Sequence, residues 1–160
     1  NNKHKSKKVK NIIKGSISSK YQLDNTLICR DLVKLGVTPR KSHSFKPHKS
    51  LLYSNDFWRG IIDGDGNLTN LDKTRSTNLM LGSGSINEIK SFKKYLLKSK
   101  IKIRTTQIRK GEYSNDFYII TLSGNRARKL AKLIYEDSPK IARLERKYKI
   151  YLQWKKRKGN

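Results

Sequence analysis

Two carboxylates, Asp63 and Asp65, stand two residues apart among three glycines in Phe57-Trp58-Arg59-Gly60-Ile61-Ile62-Asp63-Gly64-Asp65-Gly66-Asn67. Closely spaced acids can hold a hard divalent cation through oxygen. The preceding Ser54-Asn55-Asp56 supplies helix-capping side chains. The stretch therefore reads as a helix carrying its acids at the C-terminal end. Negative charge is unfavourable there against the helix dipole, which implies a cation for the acids. Gly60 and Gly64, four apart, fall on one helix face and leave a strip without side chains. Another helix can approach such a strip at backbone distance, whereas an interior glycine otherwise costs about 1 kcal/mol against alanine.

Asp63-Gly64-Asp65-Gly66-Asn67 also resembles the opening of an EF-hand calcium loop. Counted from Asp63, however, the glycine position holds Leu68 and the glutamate position holds Thr74, so the EF-hand is excluded. A plain helix end followed by a tight turn is the other alternative, and the pattern downstream weighs against it.

The 160 residues carry 38 Lys+Arg against 12 Asp+Glu, a net charge of +26. Basic residues run along the whole chain, which points to a polyanionic partner, nucleic acid, and not to a charged tail alone. No long apolar segment or signal peptide suggests a membrane. The single Cys29 makes no internal disulfide, and no Cys/His cluster has zinc-ligand spacing. An intracellular protein is expected. The chain does not begin with methionine, so residue 1 is expected not to start the gene product.

In chain order, residues 1–10 are lysine-rich and aperiodic. Residues 12–21 alternate as a strand, and Asp24 or Asn25 caps a helix through Leu35 with Leu27, Ile28, Leu32 and Leu35 on one side. Gly36 and Pro39 stop it, and residues 37–53 read as a basic linker. After the acidic stretch come strands at about 67–71 and 76–82 around an Asp72-Lys73 turn. Ser85-Ile86-Asn87-Glu88 is a capping box opening a helix with Ile86, Ile89, Phe92 and Leu96 at helical spacing. Strands follow at 101–108 and 115–123, with turn chemistry at Lys110-Gly111 and Ser114-Asn115. Asn125 opens a helix with Ala127, Leu130, Ala131 and Ile134 on one face. Ser138-Pro139 opens a last helix to Trp154, with Ile141, Leu144, Tyr148 and Leu152 buried, before the basic tail Lys155-Lys156-Arg157-Lys158.

The motif WRGIIDGDG resembles LAGLIDADG of the homing endonucleases, with Gly60, Asp63, Asp65 and Gly66 on its defining positions and Gly64 in place of the small alanine. From residue 55 the order helix, two strands, helix, two strands, helix, helix resembles one repeat of that family. The resemblance implies an α+β fold, an αββαββα repeat whose four-stranded antiparallel, saddle-shaped sheet lies over the DNA major groove. It implies helix–helix packing through Gly60 and Gly64. It makes Asp65 the catalytic, metal-binding acid for Mg²⁺ or Mn²⁺, with the Gly64 carbonyl beside it, and leaves Asp63 to fix the helix end. A basic residue near the scissile phosphate belongs to the same pattern; Lys140 and Lys147 are candidates, with Lys140 the catalytic choice at the start of the last helix.

The segment before the motif resembles the end of a first repeat, since Ser16–Ser42 is weakly echoed by Thr121–Lys147. The chain then divides into residues 1–50, a basic arm and partial first repeat, and 51–160, a complete repeat with a basic tail. Family enzymes set two motif helices side by side, so the partner helix must come from a second copy or a separate N-terminal piece. Nucleic-acid contacts are expected from Asn70, Lys73, Arg75, Asn78, Lys102, Arg104, Thr106, Arg109 and Tyr113, with Arg and Lys suited to guanine and Asn to adenine. The expected function is a metal-dependent, site-specific double-strand DNA endonuclease. The alternative is a non-catalytic RNA binder on the same fold, an intron maturase or a mitochondrial ribosomal protein on rRNA, which extends the expected location to an organelle.

Overall fold

A computed structural model describes residues 7–13, 16–22, 24–38, 41–70, 76–103, 106–109 and 116–157. The architecture is α+β. Among the described residues the first elements are β1 (Lys7–Ile13) and β2 (Ser16–Gln22), an antiparallel pair, then α1 (Thr26–Lys34). These spans replace the single strand expected at 12–21 and extend order into the lysine-rich start. Asn25 caps α1 by accepting from the Ile28 N–H at 3.1 Å. Gly36, at φ 91°, closes it, with its N–H on the Val33 carbonyl and the Val37 N–H on the Leu32 carbonyl. No residue of α1 is buried: its apolar Leu27, Ile28, Leu32 and Val33 are 40–68 % exposed.

The connecting segment is more than a linker. It makes a 3-10 turn at Lys41–His43 and buries Phe45, whose carbonyl accepts from the Ser85 hydroxyl at 2.6 Å. Gly84 lets that turn in, because a Cβ there would lie 2.7 Å from His43 Nδ1.

The larger unit consists of α2 (Asn55–Asp65), β3 (Gly66–Leu68), β4 (Asn78–Ser83), α3 (Ile86–Lys98), β5 (Thr106–Arg109), β6 (Phe117–Ser123), α4 (Asn125–Tyr135) and α5 (Glu145–Lys156). Its strands pair antiparallel in the order β3-β4-β6-β5. Most rows across the sheet are three strands wide; the row Gly66, Leu81, Ile120, Thr106 runs through all four. The outer strands are shorter than the sequence suggests, for local reasons. Thr69 ends β3 by accepting the Asn78 N–H on its own hydroxyl at 2.8 Å, replacing a ladder carbonyl. Lys100, at φ 55°, closes α3 so that the Ile101 N–H reaches the Leu96 carbonyl, which draws Ile101 into a helix cap and out of the expected strand.

One sheet face carries Leu79, Leu81, Ile120 and Leu122, packed with Trp58 and Ile62 of α2, Phe92 and Leu96 of α3, Leu130 and Ile134 of α4, and Trp154 of α5. Burying such side chains, at about 25 cal/mol per Å² of apolar area, is the main force holding the helices to the sheet. On the other face the pairing aligns Asn67, Met80 and Thr121 in one row and Asn78 with Ser123.

The capping box forms with a relay. Ser85 Oγ accepts from the Glu88 N–H, but the Glu88 carboxylate accepts from Ser83 Oγ at 2.6 Å, and Ser83 Oγ in turn takes the Ser85 N–H.

The last helix departs from expectation. Pro139 opens only a 3-10 turn, Lys140–Ala142; the chain then extends through Arg143 and Leu144 before α5 begins. This break rotates the helix relative to the expected periodicity. Ile141 is 96 % exposed, Leu144 and Leu152 are also exposed, and Lys147, Tyr151 and Trp154 form the buried side.

Candidate active site at the C-terminal end of α2

α2 is built to present its last turn. Ser54 Oγ accepts from the Phe57 N–H at 3.2 Å, and Asp56 in the favourable first turn pairs with Arg59 at 2.7 Å. Arg59 is buried and carries its guanidinium to the Ala142 carbonyl (2.9 Å) and the Ile134 carbonyl (3.3 Å), clamping α2 to the end of α4 and the turn after it. Trp58 Nε1 donates to the Leu52 carbonyl at 2.9 Å, fixing the entry to the helix.

Asp63 is a structural acid. One oxygen accepts from the Tyr135 hydroxyl at 2.6 Å, the other from the Leu144 N–H at 2.8 Å. It thereby caps α5 from a different helix, which is why the chain breaks at Leu144. Burial first, and then the bond to Asp63, push the Tyr135 phenol far above its usual pKa, so it stays a donor.

Beneath this turn lies Lys147, only 1 % exposed. Its ammonium donates to the carbonyls of Ile62, Asp63 (2.9 Å) and Gly66 (2.6 Å). Burial, with some help from Arg146, lowers its pKa, while Asp63 and Asp65 pull the other way. The cation expected at the C-terminal end of α2 is thus supplied in part by the chain itself, and the Gly64 carbonyl is not among those Lys147 takes.

Asp65 differs from Asp63 in each respect. It is exposed, and among the described residues no hydrogen bond or ion pair engages its carboxylate. Gly60 and Gly64 are exposed too, and a Cβ built on either would meet nothing within 4 Å. Among the described residues that face of α2 is open. No cluster of three or more His, Cys, Asp or Glu forms a cation cage among the described residues. Mg²⁺ is commonly held by one or two carboxylates with substrate phosphates completing the shell, and Asp65 is an exposed carboxylate at this turn.

Of the other expected site residues, Lys140 is exposed on the 3-10 turn after α4, whereas Lys147 is brought to the backbone carbonyls at the end of α2. Asn78 opens β4, its amide donating to Ser76 Oγ at 3.1 Å. Asn70 is half-buried just past β3, and Lys102 is exposed between α3 and β5, outside any strand. Thr106 and Arg109 bound β5, with their side chains outside the described set. Lys73, Arg75, Arg104 and Tyr113 lie outside the described residues, as do the Asp72-Lys73 and Lys110-Gly111 turns. Residues not foreseen are Arg59, Tyr135 and the open-face row Asn67, Met80, Thr121. Arg59 and Tyr135 carry no signal in sequence spacing; Asn67 could have been found from its place directly after the acidic turn.

No family model matches the chain, and no curated protein matches it. Among the described residues no helix is long and apolar enough to cross a membrane.

Proposed function

We propose that the chain is a LAGLIDADG-type nucleic-acid-binding protein, acting as a metal-dependent, site-specific double-strand DNA endonuclease once α2 is paired with a second such helix. The observation that carries this reading is the division of labour on α2. Asp63 is consumed by Tyr135 and Leu144, whereas among the described residues no hydrogen bond or ion pair engages the Asp65 carboxylate, which lies beside a glycine face where an added Cβ would meet nothing within 4 Å. An exposed acid one residue from such a face would meet its counterpart across a paired helix.

In this reading Asp65 and the Gly64 carbonyl would hold Mg²⁺ or Mn²⁺, which would supply an activated water and neutralise phosphate charge. Arg59, Asp63 and Lys147 hold the helix end so that Asp65 keeps its position. The open sheet face, read as the saddle, takes the duplex, with Asn67 and Asn78 near base edges. The rival is a non-catalytic RNA binder on the same fold, favoured by the +26 charge.

Asp65→Asn tests the choice. Asn keeps size and one oxygen but loses the anion that binds a hard cation. With the partner helix present, cleavage should vanish, while duplex affinity holds and stability changes by less than about 0.5 kcal/mol. Cleavage at the unmodified rate would remove Asp65 from catalysis. If the unmodified protein with its partner cuts nothing and rRNA co-purifies, the RNA-binding reading takes its place.

A further inference from the structure

α4 and α5 lie side by side and leave between them a groove of about 480 Å³. α4 lines it with Arg128, Lys129 and Lys132, and α5 with Tyr151, Trp154 and Lys155. Glu136 closes one end, paired with Lys155 at 2.5 Å and Lys132 at 3.4 Å. The rim is therefore cationic beyond what Glu136 neutralises, and the aromatic rings sit in its floor, Tyr151 4 % and Trp154 1 % exposed. One donor in the wall, Arg128 Nε, is buried without a hydrogen-bond partner among the described residues. The Tyr151 hydroxyl is engaged by the Glu136 carboxylate, which the lysines also hold. A buried donor left unmatched is costly, and a ligand oxygen would satisfy it.

This combination selects a ligand class. The volume suits one nucleotide-sized unit. A largely apolar floor of aromatic side chains and Lys/Arg stems, ringed by cations, matches a base and its phosphate. Unpaired bases seek aromatic and guanidinium surfaces, whereas a base inside a duplex is already stacked. We propose that the α4–α5 groove binds an unpaired nucleotide of a single-stranded nucleic acid. The site belongs to the helical layer, apart from the open sheet face, and does not depend on cleavage by Asp65.

The test uses the full chain, a labelled unstructured oligouridylate, and a duplex DNA in parallel. Lys129 and Lys132 are exposed, so Lys129→Gln with Lys132→Gln should fold. Oligouridylate affinity should fall about ten-fold, and its log–log salt slope should become shallower by about 1.4, roughly 0.7 per lost phosphate contact. Duplex affinity and slope should hold. Ultraviolet cross-linking of the unmodified protein should place the oligonucleotide on the α5 peptide containing Tyr151 and Trp154. Equal losses for oligouridylate and duplex, cross-links confined to β3, β4 and β6, or displacement of the oligonucleotide by polyglutamate at matched charge would each overturn the assignment. Because duplex cleavage is read separately, a failure here is distinguishable from a failure of the endonuclease reading.

Discussion

Lys147 Nζ lies 2.6 Å from the Gly66 carbonyl oxygen, joining positions 81 residues apart, and the same ammonium also serves the carbonyls of Ile62 and Asp63. A buried ammonium with three acceptors is a cap for α2 supplied by another helix. It also explains why Gly66 must be small: a Cβ there would lie 2.7 Å from the Ile62 oxygen that Lys147 engages.

Lys147→Met should therefore destabilise the chain by about 3 kcal/mol, since it keeps the bulk but leaves buried carbonyls unmatched. Urea denaturation measures this. A loss under about 1 kcal/mol would mean that water replaces the ammonium and that the cap is dispensable.

Asp63 and Tyr135 should behave as a coupled pair. Tyr135→Phe removes one hydrogen bond to a charged group, worth about 1.5 kcal/mol; Asp63→Ala also uncaps α5 and should cost about 3 kcal/mol. The double variant should lose less than the sum. Strict additivity in thermal melts would show that the 2.6 Å contact contributes nothing to stability.

Gly60→Ala should stabilise the isolated chain by about 1 kcal/mol, because the added methyl meets nothing and alanine is the better helix former. Gly60→Leu should instead abolish pairing of α2 with a second helix, read by sedimentation velocity. Unchanged association in the leucine variant would show that the glycine face is not the contact.

Glu136 supplies a pH prediction. Its hydrogen bond to Lys155, aided by Lys132, holds its pKa below the usual 4.5. A depressed carboxylate contributes stability above its unfolded value and loses it as pH falls through the folded value. Carbon-detected titration should find the Glu136 midpoint below 4.5, and Lys155→Gln should raise it. An unchanged midpoint in that variant would assign the shift elsewhere.

Local signals in the sequence determined much of the frame. Ser85, and the clusters Ser54-Asn55-Asp56 and Asp24-Asn25, announced helices because a capping side chain acts within three residues of itself; the structure chose Ser54 and Asn25. The helical periodicity of 127–134 marked a buried face, because it follows from the geometry of one element. The acids on α2 and the open Gly60/Gly64 face were legible for the same reason. Tertiary structure decided the rest. The motif marked Asp63 as the acid that fixes the helix end, but its partners come from elsewhere: Tyr135 and Leu144 arrive beside it and not beside Asp65. Lysine 147 belongs to a run of basic residues, and only the packing of α5 under α2 turns it from a solvated charge into a buried cap. The break at Leu144 has the same origin. A carboxylate from another helix outcompetes continuation of the last one, and Ile141, Leu144 and Leu152 turn outward while Tyr151 and Trp154 turn in. Interactions that span more than 70 residues depend on where the chain returns, which no short window of sequence contains.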